Sequence, residues 1–505
     1  MRRLSSAVAC VVCLTLPAQP LQAQSRQDEQ TDAMRVLLKG LQSLIADEGL
    51  AEFSAVALVQ KAGLAAFAVP DKPALTFIQP ATVKAPPLPV EGQSLDLRLA
   101  MTMLSQSYGP DGTFNVLAAQ SNPNLKALVL RKGTANLADI RRLLQENQLQ
   151  SVDAGGTLRL DVPLVIWSGA GLTLGPNDKI EINRSTGAFL TNFGHLDLNG
   201  STISGVGLAN PASPSFMPFV TTADGGSVAV KNAYIQHLGF GTAPAFSGFA
   251  VMRGIIHTAD RQNHIESSRF EDMVSLTIDG ASDVVVESNR FADMRGGSVV
   301  VTHSTNATIR SNLFSGKMPT NAIRLADGST GAVIEGNVVM GGKHAGILIG
   351  KDSSGALVSH NVIWKRDGGG IAISNSDCEK ITSNLVIDNT QKGIEVRDSL
   401  DSRVEQNTIL SNQSAGIWVS GQRKGAQTWV TGNKLAANGS GLAGAIGESI
   451  YLDANDFTQQ YPQFLSGDLT AQFKSVALDL RGAKPITLIS SDNVKTDPPK
   501  TTCSN

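Results

Sequence analysis

The sequence predicts an all-β solenoid, a parallel β-helix, on three observations. The unit Ile/Val-x-x-Asn-x-hydrophobic recurs at Asn289 (VESNRF), Asn312 (IRSNLF), Asn337 (IEGNVV), Asn361 (VSHNVI), Asn384 (ITSNLV), Asn407 (VEQNTI) and Asn433 (VTGNKL), at spacings of 23, 25, 24, 23, 23 and 26 residues. About ten residues after each asparagine comes a short strand that often opens with glycine, as in GILIG, GIAIS, GIEVR and GIWVS. The 505 residues hold 49 glycines but only 5% aromatics, which suits tight turns better than bulky cores. Short β-branched runs and polar turns at this period are the mark of stacked coils, each about 4.8 Å above the last. A leucine-rich horseshoe has a similar period, but its leucine-dense consensus is missing. Stacked amides hydrogen-bond along the axis and satisfy turn backbone, so the ladder asparagines are structural and lie outside any active site.

The flanks follow. Two arginines, an apolar stretch from Ala7 to Leu16 and small residues up to Ala23 read as a secretory signal peptide, cleaved after Ala23. No later segment has the roughly 18 apolar residues of a membrane span, so an exported, soluble protein is expected. Cys10 and Cys13 leave with the signal; Cys378 and Cys503 permit a disulfide, but the second lies in a polar tail, which argues against the bridge. Residues 24–151 read as a mixed α/β capping region and linker, with helical periodicity in DEQTDAMRVLLKGLQSLIADEGL and NLADIRRLLQENQ and a proline-rich connector between. The β-helix is expected over 152–441, an irregular C-terminal cap over 442–490 to cover the open edge, and a disordered polar tail over 491–505.

A net charge of −2, from 42 basic and 44 acidic residues, supplies no global field for nucleic acid or an anionic membrane. No phosphate-cradling glycine loop or metal-ligand spacing is visible, so no cofactor or metal is expected. His195, His237, His257, His264 and His360 occur singly in turns or strand ends and read as structural.

Strand alternation sorts the side chains. In GIEVRD, Ile394 and Val396 point inward and Glu395 and Arg397 outward. Coil by coil, the rule exposes Arg253, Asp279, Thr302 with His303 at the strand end, Arg324 and Asp327, Lys351, then Glu395, Arg397 and Trp418. Lys343 and His344 fall in the turn GGKHAGI. Such a face suits an extended polysaccharide; the alternative is a solvated surface.

The blocks FMPFVTTADGGSVAVKNAYIQHLGFG and IESSRFEDMVSLTIDGASDVVVESNRFADM, with ALVLRKGTANLADI, RLDVPLVIWSGAGLTL and GAFLTNFGHLDLNGSTISG before them, resemble the periplasmic mannuronan C5-epimerases of alginate-producing bacteria. The likeness runs from about Ala127 to Leu488. It implies a right-handed β-helix in the periplasm, acting on an anionic polyuronate beside the other components of an export complex. That family carries Asp-Pro-His-Asp where this chain reads Val301-Thr302-His303-Ser304, in an alignment that needs a gap of about two residues. Only the histidine carries over; both carboxylates are absent.

Epimerisation requires a base for the C5 proton, a cation against the adjacent carboxylate and an acid for the return proton. His303 fits the base, Arg324 one coil on fits the carboxylate partner, and Asp279 one coil earlier fits a tautomer-fixing group. For the acid, water or Lys343-His344 are the candidates. If the 4-linked sugar departs after the first step, the reaction is a lyase's. A groove that binds or guards the chain without chemistry is the alternative from a different class, and loss of both family aspartates favours it.

Overall fold

The computed structural model describes residues 20–47, 55–69, 88–121, 124–257, 259–489 and 503. Residues 124–467 wind as a right-handed parallel β-helix of about 13 turns. Each typical coil gives one short strand to each of three sheets, such as Val299–Thr302 in the groove sheet, Thr308–Arg310 in the flank sheet and Leu313–Ser315 in the back sheet. Alternation falls as the sequence predicts: Ile394 and Val396 are buried, while Glu395 and Arg397 face out.

Every corner of the coil carries a polar ladder. At the flank-to-back corner, Asn312 donates to Asn337 Oδ1 (3.0 Å) and to the Val286 carbonyl (2.9 Å), and accepts from the Asn289 backbone (2.9 Å). The series runs to Asn455, one coil beyond the recurrent motif. After the groove sheet Ser329, Ser353, Ser376 and Ser399 each accept, through Oγ, the backbone N–H of the serine one coil earlier, starting from Ser304. Asn389, Asn412, Asn438 and Gln460 line the third corner. Buried amides thus meet their hydrogen-bonding needs through their own copies one coil away. Inside, Phe270, Phe291 and Phe314 stack with ring centroids 5.0 and 4.9 Å apart, one coil spacing each.

The N-terminal region departs from a simple cap. Helix α1 (Pro20–Asp47) and α2 (Ala55–Lys61) lie along the outside of the back sheet, where Leu38, Leu41 and Leu58 pack on Leu313, Val338, Trp364, Leu385 and Ile387. Arg35 forks onto Asp388 at 2.7 and 3.0 Å, and Trp364 Nε1 donates to the same carboxylate. The cause is visible in VVM, VIW and LVI, back-sheet strands apolar on both faces that need a cover. Helix α3 (Leu97–Tyr108) and α4 (Thr113–Ala118) cover the early groove-sheet coils through a cluster including Phe189, Phe193, Phe219, Phe246 and Met252. Only α5 (Leu137–Glu146), started by an Asn136–Asp139 capping box, closes the core end, with Ile140, Leu143 and Leu144 buried.

The parallel ladder begins earlier than 152, at Lys126–Ala135, and continues past 441 to Leu465–Gly467. Ile486–Ile489 then pairs antiparallel with Ser449–Asp453 and ends the flank sheet. The expectation against a disulfide is corrected: Cys378 and Cys503 are bonded across 125 residues, with Cα atoms 5.7 Å apart. Polarity of the tail was a poor guide, because Cys503 needs only the turn at Cys378 as its anchor. The rest of the 491–505 tail, residues 1–19 of the expected signal peptide and most of the proline-rich connector lie outside the described residues.

Candidate active site

Along the groove sheet the outward positions stack in register as Thr277, Val300, Arg324, Leu348, Ala372, Glu395 and Trp418. Thr277 and the two coils before it are buried, Thr277 beneath the turn Pro244–Phe246, where its hydroxyl meets Ser247 Oγ at 2.7 Å. From Val300 to Trp418 the column is half-buried and open to solvent. His303 therefore stands on the first open coil.

His303 has φ 52°, and the residues below it in the same turn, Asp327 and Lys351, have φ 54° and 55°. A side chain in this left-handed region is strained, and the stack offsets the strain with inter-coil bonds such as His303 N–H to the Asp327 carbonyl at 3.1 Å. Gly280 holds the equivalent place one coil earlier, and a Cβ there would stand 2.7 Å from that of Arg253, whose side chain lies over it.

Asp279, Thr302 and His303 come together. Asp279 Oδ1 lies 2.8 Å from His303 Nδ1 and accepts from Thr302 Oγ1 at 2.8 Å. The imidazole is 59% exposed while the carboxylate is only 17% exposed, so the ring is pinned at one nitrogen and open at the other. Arg324 sits opposite Val300 on the next coil, its Nε buried without a hydrogen-bond partner. Among the described residues its guanidinium forms no ion pair, unlike most of its charged neighbours.

Other residues expected on the face divide. Asp327 pairs with Lys351 at 3.1 Å. Glu395 pairs with Lys392 at 3.0 Å, and Lys392 lies 5.1 Å over the Trp418 ring. Arg253 is exposed at the covered end of the groove, and its carbonyl accepts from Tyr108 Oη at 2.7 Å. Arg397 is exposed at a strand end, and Lys343 and His344 are exposed in the turn at the opposite edge of the sheet from His303.

The expected residues leave out several that shape the site. A depression of about 200 Å³ opens beside the Arg324 coil, bounded by Asn321, His344, Leu348, Ala372, Gln391, Lys392 and Glu395. Arg366 lies fully buried behind it and donates to the carbonyls of Thr320 (2.7 Å), His344 (3.2 Å), Gly341 and Lys343, fixing the turn that carries Lys343 and His344. Burial without an acidic hydrogen-bond partner pulls this guanidinium down to about 10. Tyr108, on α3, is pushed up to about 12 by burial and donates at the groove's covered end. Their signal in sequence is slight, although Arg366 takes the place of an asparagine one coil before Asn389, whose Oδ1 accepts its backbone N–H.

On the flank sheet His264, Glu266 and Glu287 gather within 4.8 Å, a grouping across two coils that linear spacing hides. Lys231 at 2.8 Å from Glu266 and Arg310 at 2.5 Å from Glu287 already supply cations to it.

The chain belongs to the right-handed β-helix family, whose model, described as a right handed beta helix region, matches residues 165–339 and 322–435. Within that class it is similar to a mannuronan C5-epimerase of Pseudomonas putida, 23% identical over 63% of this chain and 66% of the relative. It is likewise similar to the mannuronan C5-epimerase AlgG of Azotobacter vinelandii, 25% identical over 64% of this chain and 65% of the relative. The chain thus spans slightly under two thirds of these curated relatives. The crystal structure of the periplasmic alginate epimerase AlgG superposes with a TM-score of 0.63 at 18% identity, covering 79% of this chain and all of that one. No helix among the described residues is long and apolar enough to cross a membrane.

Proposed function

We propose that this protein is a C5-epimerase of polymannuronate or a related polyuronate, exported to the periplasm and acting during exopolysaccharide synthesis. The observation that carries this reading is the hydrogen-bonded Asp279–His303 pair, with the unpaired Arg324 on the next coil of the same sheet. A uronate carboxylate forks onto Arg324, which neutralises it and makes the C5 proton acidic. Asp279 holds the proton on Nδ1, leaving Nε2 as the base that takes the C5 proton. Thr302 orients Asp279 by donating to it. Thus a carboxylate from the preceding coil serves the histidine where the relatives' motif has its own aspartates. Return of a proton to the opposite face, from water or from the Lys343-His344 turn, completes the inversion.

Two other readings share the groove. Departure of the 4-linked sugar after proton abstraction makes a lyase, and binding without abstraction makes a guarding component of an export complex. NMR of polymannuronate incubated with the protein in deuterated water separates the three. Deuterium at C5 with inverted sugars supports the epimerase; unsaturated ends point to the lyase. Binding without exchange leaves the scaffold and sinks the epimerase.

A further inference from the structure

We infer that the groove grips its polymer on one side of the reacting ring only, with Arg253 marking the stop on the other. This rests on the epimerase reading and deepens it by fixing which ring of a bound chain reacts.

The outward column is a track with one end built over. Thr191, Thr221 and Ala250, the positions that precede Thr277 in register, are fully buried. Their cover is tied down by the column's own hydroxyls. Thr221 Oγ1 donates to the Ala245 carbonyl, and Ser247 Oγ, which meets Thr277 Oγ1, donates to the Pro244 carbonyl at 2.7 Å. Phe246 in this turn packs on Phe219 with ring centroids 4.8 Å apart. A Cβ on Gly112, just before α4, would stand 2.8 Å from the Phe246 ring. The roof is thus clamped between the sheet and the N-terminal helices, and it cannot lift without breaking close-packed contacts.

The corner that carries His303 is closed on the same side. Arg253 stands two coils before His303, with Gly280 between them. A Cβ on Gly280 would meet Arg253 Cβ, Cγ and Cδ at 2.7, 3.1 and 2.8 Å, so only glycine lets the arginine stem lie down there. Tyr108 Oη pins the backbone at this point, donating to the Arg253 carbonyl at 2.7 Å and accepting the Asp224 N–H at 2.8 Å. Asp224, itself buried, takes the Ile255 and Ile256 N–H groups at 2.9 and 2.8 Å and fixes the loop that follows.

On the other side the column continues for five coil steps from Val300 to Trp418, roughly 24 Å. With its carboxylate on Arg324 and C5 at His303, the reacting ring lies over the first two open coils. Rings toward Trp418 have sheet beneath them, including the depression lined by Leu348 and Ala372. Rings in the other direction meet the roof and the Arg253 side chain and must leave the sheet. A short chain therefore makes most contact when its first or second ring reacts, and a long chain bends away at the stop.

A mannuronate hexamer tagged at its reducing end tests this. It is incubated with the protein in deuterated water, and tandem mass spectrometry at early times locates C5 deuterium ring by ring. The two rings at one end are expected to hold at least about tenfold more deuterium than the two at the other. Arg253→Ala clears the surface over Gly280 and is expected to spread the label one ring further in. Label centred on the middle rings, or equal at both ends, overturns the one-sided grip and leaves the epimerase reading standing. An unchanged pattern in Arg253→Ala overturns the assignment of the stop to Arg253. No deuterium in any ring overturns the grip and the epimerase reading together.

Discussion

Three side chains decide the chemistry at His303. With Nδ1 held 2.8 Å from Asp279 and that same oxygen bonded by Thr302, the ring cannot readily exchange its tautomer. His303→Ala is expected to lower C5 deuterium exchange by at least about 100-fold, the usual worth of a positioned base. Asp279→Asn should lower kcat with little change in KM, because it alters the tautomer and not the carboxylate's binding partner. Arg324→Met, by contrast, should raise KM and lower kcat together, read in the same assay. His303 and Arg324 are legible in the sequence because alternation and the strand-end position need only local pattern. Lys392 and Tyr108 are not, since their place depends on a turn's geometry and on a helix far upstream of the open coils. Arg366 is another side chain whose partners no local pattern reveals. Arg366→Met removes the donor of five carbonyls and is expected to lower unfolding free energy by about 2 kcal/mol or more in urea melts.

At the level of the coil, the asparagine ladder was readable as structure from its period alone, whereas the other two polar corners were hidden by mixed serine, glutamine and asparagine identities. Asn361 donates to Asn384 and to the Ile334 carbonyl, both at 2.9 Å, and accepts from Asn337. Asn361→Ala should cost about 3 kcal/mol, since neighbours lose partners in a site closed to water. A turn next to the disulfide behaves differently. Glu379 is fully buried, with Oε2 taking the Ala356 N–H at 2.8 Å and Oε1 unpartnered. Burial pushes this carboxyl well above the ordinary carboxylate range, with the Asp377 charge adding to the effect and the Ala356 bond opposing it. Its folded pKa exceeds its unfolded one, so its contribution is intact below the ordinary carboxylate pKa and is lost as pH rises toward the folded value. Glu379→Gln should therefore raise Tm at neutral and alkaline pH and flatten the Tm–pH profile relative to the parent protein.

For the whole molecule, the fold class was legible because a 23- to 26-residue period constrains few alternatives, but the placement of the N-terminal helices was not. Amphipathic spacing says that a helix needs an apolar surface without saying which, and the continuous runs VVM, VIW and LVI were the overlooked counterpart of α1 and α2. The Cys378–Cys503 bond joins the chain's end to a mid-array turn and closes a 125-residue loop in the unfolded state. Cys378→Ser is expected to lower unfolding free energy by up to about 4 kcal/mol in denaturant titrations without reductant, and the parent should lose a similar amount on reduction.

Because the groove sheet is held in register from Thr277 to Trp418, the molecule is also a ruler. The separation between any two groups on that column is a whole number of steps of about 4.8 Å, so substitutions can change what each mark reads but not how far apart the marks stand. A ligand whose own repeat falls out of step accumulates its mismatch coil by coil, which limits the length that can be gripped at once and favours recognition over a short span around Arg324.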